Sequence, residues 1–100
     1  MLEIKVRLIG LYRKIANSPE IVVEIEEETL GKPTTIYDLL KKISSYYGEE
    51  MESLLYTETG EVDDWSRIMI NGKDIRFIEE SEKILKPGDF VHIFSMAAGG

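Results

Sequence analysis

The 100-residue sequence has no cysteine. Disulfides, thiolate metal ligands and cysteine nucleophiles are excluded with it, and a reducing cytoplasmic setting is compatible. It has a single histidine, His92, which leaves little material for a zinc or iron centre. No apolar run approaches the roughly 20 residues of a membrane span. The opening Met1-Leu2-Glu3-Ile4 is strand-like, without a basic segment and a cleavable apolar region. No secretory leader is therefore expected, and the expected location is the cytoplasm, away from membranes.

Positive charge is scarce as well. Twelve Lys and Arg face 19 Asp and Glu, a net charge of -7. The acids come in groups, Glu26-Glu27-Glu28, Glu49-Glu50, Asp63-Asp64 and Glu79-Glu80. Such a chain repels a nucleic-acid backbone and is drawn to basic surfaces on protein partners. The lack of a basic aromatic stripe argues further against RNA binding. Catalytic constellations are missing too: no His-x-x-His pair, no phosphate-cradling glycine loop, no supported Ser-His-Asp set. The acid pairs lie in adjacent or loop positions, where two solvated carboxylates are not divided into acid and base.

What is present is a core: 43% of the residues are hydrophobic, enough for one domain of this length. Leu2, Ile4, Val6 and Leu8 alternate with Glu3, Lys5 and Arg7, the period of two of a half-buried strand. Leu11 to Ala16 allows a short helical turn, and Asn17-Ser18-Pro19 is a turn signal. Ile21, Val23 and Ile25 give a second strand, antiparallel to the first. Ile36, Leu39, Leu40 and Ile43 recur at helical spacing, with Thr35 and Asp38 as a capping box and Gly48 at the C-cap. Glu50 to Tyr56 predicts a short second helix. Thr57 to Arg67 reads as a loop, with Trp65 as its partly buried anchor and partner binding as the alternative role.

Asn71-Gly72 is a tight-turn signal, with Ile68 and Ile70 leading in and Ile75 and Phe77 expected to leave as a strand. Leu85-Lys86-Pro87-Gly88-Asp89 is a further turn, and Phe90 to Phe94 is the closing strand. Laying the helix stripe across a mixed sheet gives an α+β, β-grasp arrangement with four to five strands against one main helix. The first strand suits a central position, with the last strand parallel beside it. The open face then carries Lys5, Arg7, Phe90, His92 and Phe94. His92 reads as a strand surface residue and not as a general base. At Phe90 and Phe94 two readings stand: cover by the short helices or the Trp65 loop, or a docking patch for another protein.

The domain is expected to occupy residues 1–94, leaving 95–100 as a tail that ends Met96-Ala97-Ala98-Gly99-Gly100. Two final glycines arise by chance in about 0.5% of chains at an average glycine usage of about 7%. Without Cβ atoms they pass through a narrow channel into another protein's active site. They leave the terminal carboxylate open to attack a nucleotide phosphate. The acyl-adenylate so formed is open to sulfur, giving a thiocarboxylate, or to a lysine, giving an amide. A passive β-grasp interaction module with an ordinary end is the alternative.

Val6-Arg7-Leu8-Ile9-Gly10-Leu11-Tyr12-Arg13, Thr35-Ile36-Tyr37-Asp38-Leu39-Leu40, Ile70-Asn71-Gly72-Lys73-Asp74-Ile75, Leu85-Lys86-Pro87-Gly88-Asp89-Phe90-Val91 and the closing Gly99-Gly100 occur in this order along nearly the whole chain. In that set the chain resembles the small subunit of molybdopterin synthase, within the ubiquitin-like sulfur-carrier family, in its archaeal-type version. The resemblance implies a protein that is non-catalytic alone and acts as the sulfur-carrying subunit of a two-subunit synthase. An adenylating enzyme similar to the ubiquitin-activating family would activate Gly100 with ATP and Mg²⁺, and the chain itself would bind no cofactor. A sulfur donor protein would supply the sulfur of the thiocarboxylate. The tail, Met96, Ala97, Ala98, Gly99 and Gly100, would then enter the large synthase subunit and donate sulfur to a pyranopterin precursor. Phe94, with Phe90 and His92, would supply docking surface. Where the family usually has prolines before Gly-Gly, this chain has Ser95-Met96-Ala97-Ala98, so the tail lacks proline's restriction. Related carriers serve thiamin synthesis, tRNA thiolation or protein conjugation.

Overall fold

The computed structural model describes residues 2–26 and 32–95. The N-terminal alternation folds as predicted: β1, Leu2–Leu8, buries every second side chain. Gly10, at φ 71°, turns the chain into the short helix α1, Leu11–Ala16. A positive φ of this kind suits a residue without a Cβ. Strand β2, Glu20–Ile25, returns antiparallel to β1, with Ile4 opposite Val23.

Helix α2 spans Ile36–Tyr47 and buries Ile36, Leu39, Leu40 and Ile43 on one face. Its start is fixed by the predicted box. The Asp38 carboxylate accepts from the Thr35 N–H at 2.8 Å and from the Thr35 hydroxyl at 3.3 Å, satisfying a donor that helix ends otherwise leave open. After Gly48, α3 runs Glu49–Leu55 and buries Met51 and Leu55. Both short helices thus form where the apolar spacing placed them.

Strand β3 is Ser66–Ile70, and the Asn71-Gly72 turn leads to β4, only Lys73–Asp74. The expected strand through Ile75 and Phe77 does not form. Those residues make a 3-10 turn, Ile75–Phe77, because the Asp74 carboxylate accepts the Arg76 N–H at 2.9 Å. Ile75 turns inward and Phe77 stays 79% exposed. A second 3-10 turn, Glu80–Lys83, bridges to the closing strand β5, Phe90–Ser95.

The sheet has five strands in the order β2-β1-β5-β3-β4, with β5 parallel to β1 and antiparallel to β3. β1 is flanked on both sides as expected, but the middle position belongs to β5. The order and the mixed pairing are those of the ubiquitin-like β-grasp fold. One sheet face packs on the helices. Ile4, Val6, Leu8, Ile68, Val91 and Ile93 meet Leu39, Leu40 and Ile43 of α2 and Tyr12 of α1 in a single buried cluster. Each such side chain, fully buried, stabilises the fold by about 1.5–3 kcal/mol relative to exposure.

Candidate functional site

The parallel pairing of β5 on β1 builds the face opposite the helices. Lys5 stands opposite Phe90 and Arg7 opposite His92. On the other flank Arg67 stands opposite Phe94 and Met69 opposite His92. The predicted open face of Lys5, Arg7, Phe90, His92 and Phe94 is therefore assembled, and strand alternation turns Val91 and Ile93 inward. Phe90, His92 and Phe94 are each half-buried. The rings of Phe90 and His92 stack with centroids 4.8 Å apart, so His92 is held against an aromatic. Neighbours cover part of each phenylalanine and leave the rest facing outward.

Arg67 and Met69 were not anticipated on this face. Ile68 and Ile70 alternate with them, but the acids and Gly60 just upstream hid where the strand begins. Arg67 is anchored: its Nη1 donates to Asp74 Oδ2 at 2.7 Å. Burial alone would raise the Asp74 carboxyl. The Arg76 N–H, the Arg67 hydrogen bond and the two guanidinium charges outweigh it and hold that carboxyl below its ordinary value. Arg7 is more loosely engaged, 3.9 Å from Glu20. A surface pair at that distance contributes little, about 0–1 kcal/mol.

Beneath the face, at the end of β5, lies a polar chain. The Tyr12 hydroxyl bonds to Ser66 Oγ, and Ser66 Oγ donates to the Leu54 carbonyl at 2.7 Å. Ser66 has one proton and gives it to Leu54, so Tyr12 is the donor of the first bond. This ties α1, β3 and α3 together under the Ser66–Ser95 pair of the ladder. Of the proposed tail 95–100, Ser95 is still paired within β5. Met96, Ala97, Ala98, Gly99 and Gly100 lie outside the described residues.

Trp65, expected as a partly buried anchor, keeps 40% of its surface exposed. Its backbone N–H donates to the Asp63 carboxylate at 2.9 Å, which fixes the turn before β3. A shallow groove between α2, α3 and the loop at Gly60 presents Glu49, Glu52, Glu58 and Asp63 with Lys41. Among the described residues no group of three or more His, Cys, Asp or Glu side chains converges to hold a metal ion. None of the described helices is long and apolar enough to cross a membrane.

The sheet has an open face, and its central strand β5 is the last described element before Met96. Solved structures share this β-grasp fold. A protein of Archaeoglobus fulgidus assigned as a candidate sulfur carrier is 32% identical over 78 residues, spanning 78% of this chain and 83% of its own. The solution structure of small archaeal modifier protein 1 from Methanosarcina acetivorans superposes with a TM-score of 0.76. It is 27% identical and covers 100% of this chain and 98% of that one. Sulfolobus solfataricus Urm1 superposes with a TM-score of 0.65, 26% identity, and coverage of 92% and 99%. The sequence model of the ThiS family matches residues 6–100, and the chain belongs to the ThiS family.

Proposed function

We propose that the protein is a sulfur carrier whose C-terminal Gly100 is adenylated, thiocarboxylated and used to donate sulfur to a pyranopterin precursor in molybdopterin cofactor synthesis. The observation that carries this reading is the ThiS-family match running through Gly100, on a chain whose central strand β5 leads into Gly99-Gly100. In the first step a Gly100 carboxylate oxygen attacks the α-phosphorus of ATP, and pyrophosphate leaves. Hydrosulfide, delivered by a sulfur donor protein, then adds to the acyl carbon, and AMP leaves with the bonding pair. The mixed anhydride makes a poor electrophile into a good one.

The chain's own part is to present and dock. Met96, Ala97, Ala98, Gly99 and Gly100 enter the partner, while Phe94, Phe90 and His92 rest on its surface. The adenylating enzyme supplies the pocket, ATP and Mg²⁺, and the large synthase subunit supplies the pterin site. The carrier works in the cytoplasm, where these partners and a low disulfide potential coexist.

A second reading has support of its own. The likeness to small archaeal modifier protein 1 covers the whole of this chain and favours transfer of Gly100 to a lysine amine. Thiolation of tRNA is a further fate of the same thiocarboxylate. Reconstitution with the adenylating enzyme, ATP, Mg²⁺, sulfide, the large synthase subunit and the pterin precursor separates these fates. The proposal expects dithiolene pterin to form in proportion to the thiocarboxylated carrier consumed. Thiocarboxylate that yields only lysine-linked adducts or thiolated tRNA, and never pterin product, removes the pterin assignment.

A further inference from the structure

The two edges of the sheet are unequal: β4 is two residues long and β2 is six. The Leu8 N–H donates to the Pro19 carbonyl at 2.9 Å, which fixes the phase of the β1–β2 ladder. Antiparallel partners exchange bonds at every second position, so Ile21, Val23 and Ile25 bond to β1 through Val6, Ile4 and Leu2. Glu20, Val22 and Glu24 therefore turn their N–H and C=O groups away from the sheet. At Glu20 both are met by Ser18 Oγ, which donates to the carbonyl at 2.7 Å and accepts the N–H at 3.4 Å. The outward groups of Val22 and Glu24 have no partner among the described residues.

The same stretch carries unmatched charge. Glu24 stands directly opposite Glu3 and both are exposed. Neither forms an ion pair among the described residues. Like charges directly opposite one another on a ladder are destabilising. Glu26, two positions on, is exposed as well, whereas Glu20 already has Arg7 at 3.9 Å. Val22, between Glu20 and Glu24, keeps 54% of its surface exposed. On the helix side Ile21 and Ile25 are only half-buried.

We propose that residues 22–26 are a docking edge for an extended basic segment of a protein partner. The segment adds a strand antiparallel to β2 and carries Lys or Arg opposite Glu24 and Glu26. Main-chain bonds give such an added strand its affinity, and alternate side chains give it specificity. A cation opposite Glu24 relieves the repulsion from Glu3, and alternate apolar residues extend the cover of Ile21 and Ile25. A second copy of this chain is repelled in each antiparallel register. Centred on Val22, self-pairing sets Glu20 of each copy against Glu24 of the other; centred on Val23, Glu20 against Glu26; centred on Glu24, that residue against itself. Charges so placed keep an edge from pairing with its own kind and leave it open to a strand of opposite sign. β2 lies two strands from β5, and Glu3 is at the end of β1 away from Ser95. The edge is therefore separate from the delivery of Gly100 and stands whether or not Gly100 carries sulfur.

The test is an NMR titration of the nitrogen-15-labelled full chain with the synthetic peptide acetyl-Lys-Val-Lys-Val-Thr-Val-amide. Its lysines fall opposite Glu26 and Glu24 and its threonine opposite Val22. Amide shifts are expected to centre on Val22 and Glu24. Exchange of these two amides is expected to slow about tenfold or more at saturation, while Ile21 and Val23, already bonded to β1, change little. The peptide with glutamate in place of both lysines is expected to bind about tenfold or more weakly. N-methylation of the threonine removes the donor to the Val22 carbonyl and is expected to weaken binding as much. Glu24→Lys, at an exposed position, is expected to narrow or reverse the preference between the lysine and glutamate peptides. Silent Val22 and Glu24 amides at millimolar peptide, equal binding of the glutamate or N-methylated peptide, or shifts centred on another surface overturn the docking edge. Shifts at these amides that follow the concentration of the peptide-free chain assign the edge to a second copy and overturn it too.

Discussion

Replacing Ser66 with alanine removes one oxygen and strands the buried Tyr12 hydroxyl and the partly buried Leu54 carbonyl. Ser66 is 4% exposed and Tyr12 is 0% exposed. The serine oxygen accepts from the Tyr12 hydroxyl and donates to the Leu54 carbonyl. Each buried group left unpaired costs about 1–3 kcal/mol, so Ser66→Ala is expected to cost about 2–5 kcal/mol. Tyr12→Phe strands nothing comparable, because Ser66 keeps its bond to Leu54, and about 1 kcal/mol is expected. In the double variant only the Leu54 carbonyl is orphaned. Its loss is therefore expected to fall short of the sum of the single losses by about 1 kcal/mol or more. Urea unfolding of the four proteins, with the slope checked for constancy, measures the cycle. A Ser66→Ala loss under about 0.5 kcal/mol, or strict additivity, refutes the proposed bond directions.

The same site has a pH signature. Burial raises the Tyr12 phenol above its ordinary value of 10.0. The Ser66 bond opposes the rise and the Asp63 charge adds to it. The folded phenol stays neutral where the unfolded one has begun to ionise. Its contribution to stability is full below about pH 10 and is lost as pH climbs through the raised folded value. Tyr56 is raised too, by burial and by Glu52, so Tyr12→Phe is expected to flatten the alkaline limb of stability without abolishing it.

At the other end of the pH scale, Asp74 is held below 3.8 despite its burial. Its contribution is present above about that pH and disappears as pH falls through the depressed folded value. Asp74→Asn is expected to cost about 1–3 kcal/mol at neutral pH and to shallow the acid limb, as followed by thermal melts from pH 2 to 7. Asn71 joins the β3–β4 turn to β5. Its Nδ2 donates to Asp89 Oδ1 and its Oδ1 accepts the Phe90 N–H, both at 2.9 Å, at a φ of 50°. Asn71→Ala is expected to cost about 1–3 kcal/mol and to speed amide exchange at Phe90, because both pins and the tolerance of a left-handed backbone go together.

Much of the fold was legible wherever one periodicity ruled a segment. The alternation of Leu2 to Leu8, the helical stripe of Ile36, Leu39, Leu40 and Ile43, and the Thr35–Asp38 box each have one low-energy way to bury their apolar side. The strand expected after Asn71-Gly72 failed for a local reason. Ile75 and Phe77 sit two apart in a strand and in a tight turn alike, and the Asp74 carboxylate decided for the turn by capping Arg76. The middle position of β5 was hidden because pairing across the sheet depends on contacts between distant segments. The open face of Phe90, His92 and Phe94 with Lys5 and Arg7 followed from alternation alone. Arg67 and Met69 joined it unannounced because the acidic loop obscured the start of β3. The tail itself was read from composition, and its role rests on chemistry more than on shape.

The most direct test of that role is the intact mass of the protein after incubation with the adenylating enzyme, ATP, Mg²⁺ and a sulfide source. Fragmentation follows, to locate any change. The account predicts a gain equal to the exchange of one oxygen for sulfur, confined to Gly100 and absent when Gly100 is deleted. A chain that stays at its original mass, or that gains sulfur equally without Gly100, contradicts it.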